Sequence, residues 1–514
     1  MSTSTMKTAT RKKPRRLSLL DATFLQIERR ETPTHVAGLQ VFQLPKNAPK
    51  DFIKSVVQTL RGPEKLARPW NLKLAPVPLS RLAPAMVETD DIDMDYHVRH
   101  TCLPAPGGER ELGELVSHLH SVTLDRSRPL WTCHVIEGLG PSIDPETGQA
   151  VSGNRFALYT KIHHTIIDGV KGMHLLTRCL GDAPGANNWT APWADVERPA
   201  DAREKDRFKS KRDAKTVSAL GLPKAVKDAW LPLLRRGGAV EPIRLPFEAP
   251  RSILNGSVTA ARRVATQRLD LGRIKKVAAA SGASVNDVFL AISSAALRRH
   301  LLDSHQLPAR SLVAGVPVSL RADSKKEDAG NAVGFLWSVL GTDIADPLER
   351  LQTIRDSMEA SKRHLQSLPG SMRSLLTMMT MSPAIAVLLS GQGAKVRPPM
   401  NVVISNVPGP QRTLYMGRAR LEAIYPVSIP MQGQALNISC VSYDGQLTVG
   451  FTGSRDCLPH LQRLAVYASE ALDELEAAMS KDVLPPDGKP ALSNRAATEA
   501  FSYPAVKSTS GRRR

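Results

Sequence analysis

The chain has 514 residues, 42% of them hydrophobic and 23% charged, a globular balance in a chain too long for one ordinary core. Two units of roughly 200 residues plus a connection fit that length. The formal net charge is +20 with aromatics at only 4%; without a helix-turn-helix, RNA-binding or zinc-finger pattern this excludes nucleic acid as the expected partner, and leaves an anionic small substrate, an anionic membrane surface or a solvated basic face.

In chain order, residues 1–16 carry Lys7, Arg11, Lys12, Lys13, Arg15 and Arg16 with no acid. They are expected to form a disordered basic tail, and they lack the apolar run of a signal peptide. Residues 17–182 are expected to be a first lobe of mixed strands and helices. His35–Leu44 reads as a strand, and Arg110–Val122 as a helix with Leu112, Leu115 and Leu119 on one face. Trp131–Leu139 and Arg155–His164 read as strands separated by the Gly/Pro/Asp-rich GPSIDPETGQAVSGN.

Residues 183–250 are charged, rich in Pro and Gly and almost without apolar periodicity, a linker with helical pieces such as PKAVKDAWLPLLRR. A second lobe is expected over 251–482. Its strands are read at Arg262–Leu271, Ser311–Arg321 and Asn401–Pro410. Its helices are read at Leu271–Gly282, with Gly282 just past the end, at Ser284–Leu302 and at Leu458–Met479. Ala435–Ser454 reads as a hairpin turning at Asp444-Gly445. Residues 483–514 are a second flexible basic tail ending in Arg512, Arg513 and Arg514.

The cysteines, Cys102, Cys133, Cys179, Cys440 and Cys457, are odd in number and scattered. Reduced thiols in a cytoplasmic protein are the expectation. Leu375–Leu389 is uncharged but interrupted by Pro383, and it falls short of the roughly 20 residues that span a bilayer. It is read as a buried helix pair or as a greasy surface.

The stretch FALYTKIHHTIIDGVKG, Phe156–Gly172, places two histidines at the end of an apolar run. On a strand, Phe156, Leu158, Ile162 and His164 share one face; Tyr159, Lys161 and His163 share the other. His164 then looks into a cavity while His163 supports it. Adjacent histidines on opposite faces cannot share a metal, and His164 with Asp168 supplies fewer ligands than zinc requires, so no metal is expected. After Asp168 and Gly169, the residues Val170, Met173, Leu176 and Leu180 recur at helical spacing. Asp168 would cap that helix, and Gly169 would let the backbone pass close to the strand. A cavity-edge histidine suits proton transfer near neutral pH. No GxSxG or Cys/His pairing supplies a nucleophile. A general base acting on a substrate hydroxyl or amine follows; a satisfied core histidine is the bland alternative.

His163-His164-Thr165-Ile166-Ile167-Asp168-Gly169 resembles the HHxxxDG signature of coenzyme A-dependent acyltransferases. LSLLDATFLQIERRETPTHVAGLQVF, DRSRPLW, VNDVFLA and ISNVPGP, in that order, resemble the bacterial wax ester synthase/diacylglycerol acyltransferases over about residues 17–480. The resemblance implies an α/β (α+β) fold of two chloramphenicol-acetyltransferase-like lobes with the active site between them. It implies acyl-CoA as co-substrate with no permanently bound cofactor, and a long-chain fatty alcohol or diacylglycerol as acceptor. His164 would be the base; His163, Asp168 and Gly169 would hold the site in shape. Pro129, Leu130 and Trp131 would shape the core or touch substrate. Asn286 and Asp287 would cap a helix or reach the site, and Ser405 and Asn406 would polarise the thioester carbonyl or contact coenzyme A. The family often has Met where Thr34 stands, and a small polar residue where Lys171 stands. An amide-forming condensation domain shares HHxxxDG, and a non-catalytic membrane-surface lipid-binding protein would share the basic tails. Peripheral association with the inner membrane and lipid droplets is the expected location.

Overall fold

A computed structural model describes residues 14–76, 84–141, 150, 153–167, 169–185, 189–195, 247–319, 333–367 and 385–483. Asp168, the helical pieces expected in the linker, residues 375–384 of the apolar stretch and nearly all of both basic tails lie outside the described residues.

The first half runs β1 (Arg15–Arg16), α1 (Leu19–Ile27), β2 (His35–Gln43), α2 (Phe52–Arg61), β3 (Leu72–Leu74), β4 (Ala85–Glu88), α3 (Met94–His97), β5 (Val98–Cys102), α4 (Glu109–Ser121), β6 (Trp131–Leu139), β7 (Arg155–His163) and α5 (Gly169–Thr177). The second runs β8 (Arg262–Asp270), α6 (Leu271–Ser281), α7 (Val285–Asp303), β9 (Val313–Ser319), β10 (Val333–Val339), α8 (Pro347–Ser367), β11 (Val402–Pro408), β12 (Tyr415–Met416), β13 (Ala419–Val427), β14 (Leu436–Tyr443), β15 (Gln446–Ser454) and α9 (Arg463–Val483). A short helix also covers 385–390. Arg15 and Arg16, read as part of a disordered tail, pair with Met86 and Ala85 in a small sheet of order β1-β4-β3.

Two six-stranded sheets dominate. One has the order β10-β9-β11-β14-β15-β8; the other has the order β12-β13-β2-β7-β6-β5. Strands β12 and β13 come from the second half of the chain, yet β13 pairs antiparallel with β2, Leu39 opposite Tyr425. The contiguous stretch 251–482 therefore completes the sheet that carries the paired histidines, which a division by chain order does not describe.

Local chemistry accounts for most element ends. Asp270 caps α6 by accepting from Arg273 N–H, and Gly282 closes it in the left-handed region at φ +62°. Asp444 and Gly445, at φ +45° and +77°, make the tight turn between β14 and β15. The last helix starts at Arg463 rather than Leu458 because Leu458 and Leu461 form consecutive turns back to Ser454 and Leu458.

Besides the β13–β2 pairing, several contacts among the described residues hold the two sheets and their helices together. Helix α4 covers the edge of β8: Arg262 N–H donates to Ser121 Oγ and Val264 N–H to Ser117 Oγ, each 2.9 Å. Alternate strand residues face one way and i, i+4 helix residues face one way, so two serines satisfy two edge donors. Gly450 lies under β13, where a Cβ would stand 1.8 Å from Pro426 O. Val441 and Tyr443 of β14 enter the cluster built on Trp70, Trp131, Phe156 and Ile162. No single described helix is long and apolar enough to cross a membrane; α6 and α7 pass such a test only as a pair bent by 104°, and α7 is mostly buried in the second core.

Candidate active site

The expected facing of β7 is observed from Phe156 to Ile162, but the strand does not run on to His164 as expected. Phe156, Leu158 and Ile162 join the cluster of Trp131 and Met173; Tyr159 joins the opposite cluster with Leu112 and Val116. The strand ends at His163, opposite His35 of β2, and His164 to Ile166 form a turn before α5. His163 N–H donates to Leu130 O and His164 N–H to Thr34 O, both 3.0 Å. In α5, Met173 and Leu176 are buried as the spacing predicts, whereas Val170 faces solvent.

His163 is wholly buried, and both its ring nitrogens are engaged. Thr165 N–H donates to Nδ1 at 3.1 Å, so the ring proton sits on Nε2. Nε2 faces Thr34 Oγ1 at 3.1 Å and Glu28 Oε1 at 3.5 Å. Thr34 Oγ1 donates in turn to Phe24 O at 2.9 Å and so accepts from the imidazole. His164 is half-buried, its ring stacked on Phe24 at 4.1 Å between centroids and 21° between planes.

Glu28 was not singled out by the sequence reading. Arg126 clamps it, donating Nε and Nη2 to Oε2 at 3.0 and 2.7 Å, and Thr34 N–H donates to Oε1 at 3.2 Å. Burial alone would raise this carboxyl, but the bonds to His163, Arg126 and Thr34 outweigh it and hold it down to about 2. The only hint in the sequence is that Glu28 and Arg126 fall inside the two quoted stretches LSLLDATFLQIERRETPTHVAGLQVF and DRSRPLW. An acid and a base 98 positions apart read as surface charges until the fold joins them.

On the other face of β7 lies a layer of buried bases. His120 bonds Tyr159 Oη through Nδ1 and Ser428 O through Nε2, each 2.8 Å; burial pushes it down to about 3 and His134 to about 4. Lys161 donates to Leu119 O and Val122 O at 2.8 and 2.7 Å, at the C-terminal end of α4, and burial lowers it to about 7.

Pro129, Leu130 and Trp131 build the support beneath the histidines. Leu130 O receives His163 N–H. Trp131 is wholly buried among Trp70, Trp193 and His97, which leaves its ring no room to meet substrate. In the second half, Asp287 closes a capping box with Ser284 at the start of α7, and Asn286 beside it is half-buried. Ser405 and Asn406 part company. Ile404 lies in the second core, and Asn406 shares its face by alternation; Ser405 shares the face of Val407, whose Cγ2 a Cβ on Gly169 would meet at 3.4 Å. Ser405 Oγ lies 2.7 Å from Ser439 Oγ, which donates to Asn437 Oδ1 at 2.8 Å. That hydroxyl chain faces the first half of the molecule. Among the described residues no group of three His, Cys, Asp or Glu side chains could hold a metal.

The two halves share a sheet, and the half-buried His164 lies in the turn that follows its strand β7. Residues 17–289 match the wax ester synthase/diacylglycerol acyltransferase catalytic domain and residues 329–476 the WS/DGAT C-terminal domain. The chain belongs to that family and is an acyltransferase. It is 40% identical over 459 residues to the "Probable diacyglycerol O-acyltransferase tgs2" of Mycobacterium tuberculosis H37Rv, covering 89% of this chain and 98% of the relative. It is 36% identical over 471 residues to "O-acyltransferase WSD" of Acinetobacter baylyi, covering 91% and 98%. The wax ester synthase/diacylglycerol acyltransferase from Marinobacter aquaeolei VT8 is a solved structure similar to it, with TM-score 0.69 and 35% identity over 90% of this chain and all of the other.

Proposed function

We propose that this acyltransferase moves a long-chain acyl group from acyl-CoA to a fatty alcohol, giving a wax ester, and to diacylglycerol, giving triacylglycerol, with His164 as the base. The observation that carries the assignment is the contrast between the two rings. His163 is buried with both nitrogens engaged, while His164 is half-buried and stacked on Phe24 in the turn after β7. The names of the relatives in Acinetobacter and Mycobacterium support the acceptor classes.

In the step so assigned, His164 takes the hydroxyl proton as the alcohol oxygen attacks the thioester carbonyl carbon. The tetrahedral adduct collapses with cleavage of the C–S bond, and the protonated histidine returns its proton to the coenzyme A sulfur. The carbonyl oxygen gains charge on the way and needs a donor. Ser405 is the hydroxyl assigned to this role; Ser439 Oγ donates to Asn437 Oδ1, so at rest the one Ser405 proton goes to Ser439 Oγ and the hydroxyl must turn from it to meet the carbonyl oxygen. No bound cofactor is required; Gly169 opens α5.

The reaction joins oily acceptors to a water-soluble donor, so the enzyme is assigned to a lipid-water boundary. The basic tail over residues 1–16 would attract acidic headgroups. The helix at 385–390, with Leu389 exposed and Leu389 O bonded by Arg29 beside Glu28, would lie close to the site mouth. Purified protein with palmitoyl-CoA and hexadecanol or diolein should release thiol and form the matching ester. Thiol release without either lipid product would overturn the assignment. Deleting residues 1–16 should weaken flotation with anionic vesicles at low salt, and equal flotation of both forms would remove the tail from the account.

A further inference from the structure

We propose that Glu28 is a positioning residue for acyl transfer: clamped by Arg126, it fixes the tautomer of His163, and His163 fixes the turn that presents His164. This inference rests on the reading of His164 as the base.

Each link is a contact. Arg126 Nη2 also donates to Leu25 O at 2.8 Å, tying the guanidinium to α1 as well as to Glu28. Glu28 Oε1 takes Thr34 N–H and faces His163 Nε2. A carboxylate offers only acceptors, so the imidazole edge turned toward it must carry the proton. That leaves Nδ1 bare to accept Thr165 N–H. The bond closes the turn in which His164 lies, and the same His164 N–H is tied to Thr34 O. If His163 held its proton on Nδ1 instead, two donors would meet at Thr165 and the turn would open. The low carboxyl value of Glu28, about 2, agrees with a group that stays ionised wherever the enzyme works. Glu28 touches neither substrate nor His164 in this scheme and acts only through His163, the usual way a supporting partner sets a ring's tautomer.

The experiment is Glu28→Gln in the full chain. A glutamine amide must set its NH2 against either Arg126 or His163, so one donor always meets another. Three readouts are taken: kcat and KM with palmitoyl-CoA and hexadecanol, the His163 ring nitrogen shifts by NMR on histidine-labelled protein, and thermal unfolding. The expected result is a fall in kcat of about tenfold or more with both KM values within about threefold, together with loss of the pure Nε2–H signature of His163. Should Glu28→Gln fail to fold, Glu28→Asp keeps the charge for Arg126 but withdraws it from His163 by one methylene, and kcat should again fall with KM unchanged. His164→Ala is run alongside. An active His164→Ala enzyme overturns the base reading; an inactive one, combined with unchanged kcat and an unchanged His163 tautomer in the folded Glu28 variant, overturns the positioning role alone.

Discussion

The two six-stranded sheets share a size but not an interior. Around β7 the buried residues include His35, His97, His120, His134, Lys161 and His163. Among the described residues every ring–ring contact falls in the first 193 positions, from Phe24 on His164 to Trp131 on Trp193. The sheet holding β14 instead packs α6, α7 and α9 over one aliphatic cluster running from Leu254 to Leu475. Aliphatic packing is tolerant of shape and supplies stability. A buried polar group needs one specific partner, so a network of them fixes one geometry. The second lobe contributes bulk, a strand and a hydroxyl chain; in the proposed assignment the first contributes the base.

If that division is right, substitutions should split by lobe into losses of turnover and losses of stability. The largest effect is expected from His164→Ala. Losing a general base lowers kcat about 100- to 10,000-fold, with the unfolding midpoint little changed. His163→Ala should cost less turnover and more stability, since it empties a wholly buried site; the reverse ranking in a paired assay would exchange their roles. On the other side, Phe289→Ala in α7, where the ring is 1% exposed, should cost about 3–5 kcal/mol in urea unfolding. Turnover per folded molecule should stay within about twofold, and selective loss of kcat there would erase the contrast between lobes.

Glu28 belongs to both categories. Its carboxyl is held near 2 against an ordinary 4.5, so its ionised form stabilises the fold above pH 4.5, and that contribution disappears as pH falls from 4.5 through 2. The full difference is about 3 kcal/mol. Unfolding of wild type and Glu28→Gln should therefore differ most near neutrality and converge toward pH 2; a gap that does not change with pH would mean the carboxylate is not clamped. Ser117→Ala removes the acceptor of Val264 N–H at the covered edge of β8 and should cost about 1–3 kcal/mol, with turnover unaltered if α4 merely seals that edge. The smallest effect is expected at Gly169. An added Cβ meets Val407 Cγ2 at 3.4 Å in ordinary contact, so Gly169→Ala should move stability by less than about 1 kcal/mol; a large loss would show a tighter seam.

Sequence alone determined the elements that depend on neighbours along the chain. The stop of α6 at Gly282, the Asp444-Gly445 turn, the start of α7 at Ser284 and the facing of β7 all follow from local backbone preference and side-chain period. The histidine pair was legible as a pattern at the end of an apolar strand, but β7 stops at His163 and His164 lies in the turn beyond it, so alternation does not set the second ring's facing. Tertiary structure alone decided what joins distant residues. Strand β13 pairs with β2 across a register shift between Leu421 and Ala423, which puts Leu421 and Ile424 in one core cluster and Ala423, Tyr425 and Val427 in the other. Glu28 meets His163 across more than a hundred positions, and Arg126 meets Glu28 because α1 and the approach to β6 converge under the histidine turn. Ser405 separates from Asn406 only once β11 has one face on the second core and the other on the seam. Hydrogen bonds and ion pairs of that range leave no period in a sequence, since their partners are set by packing of whole elements rather than by the spacing of residues.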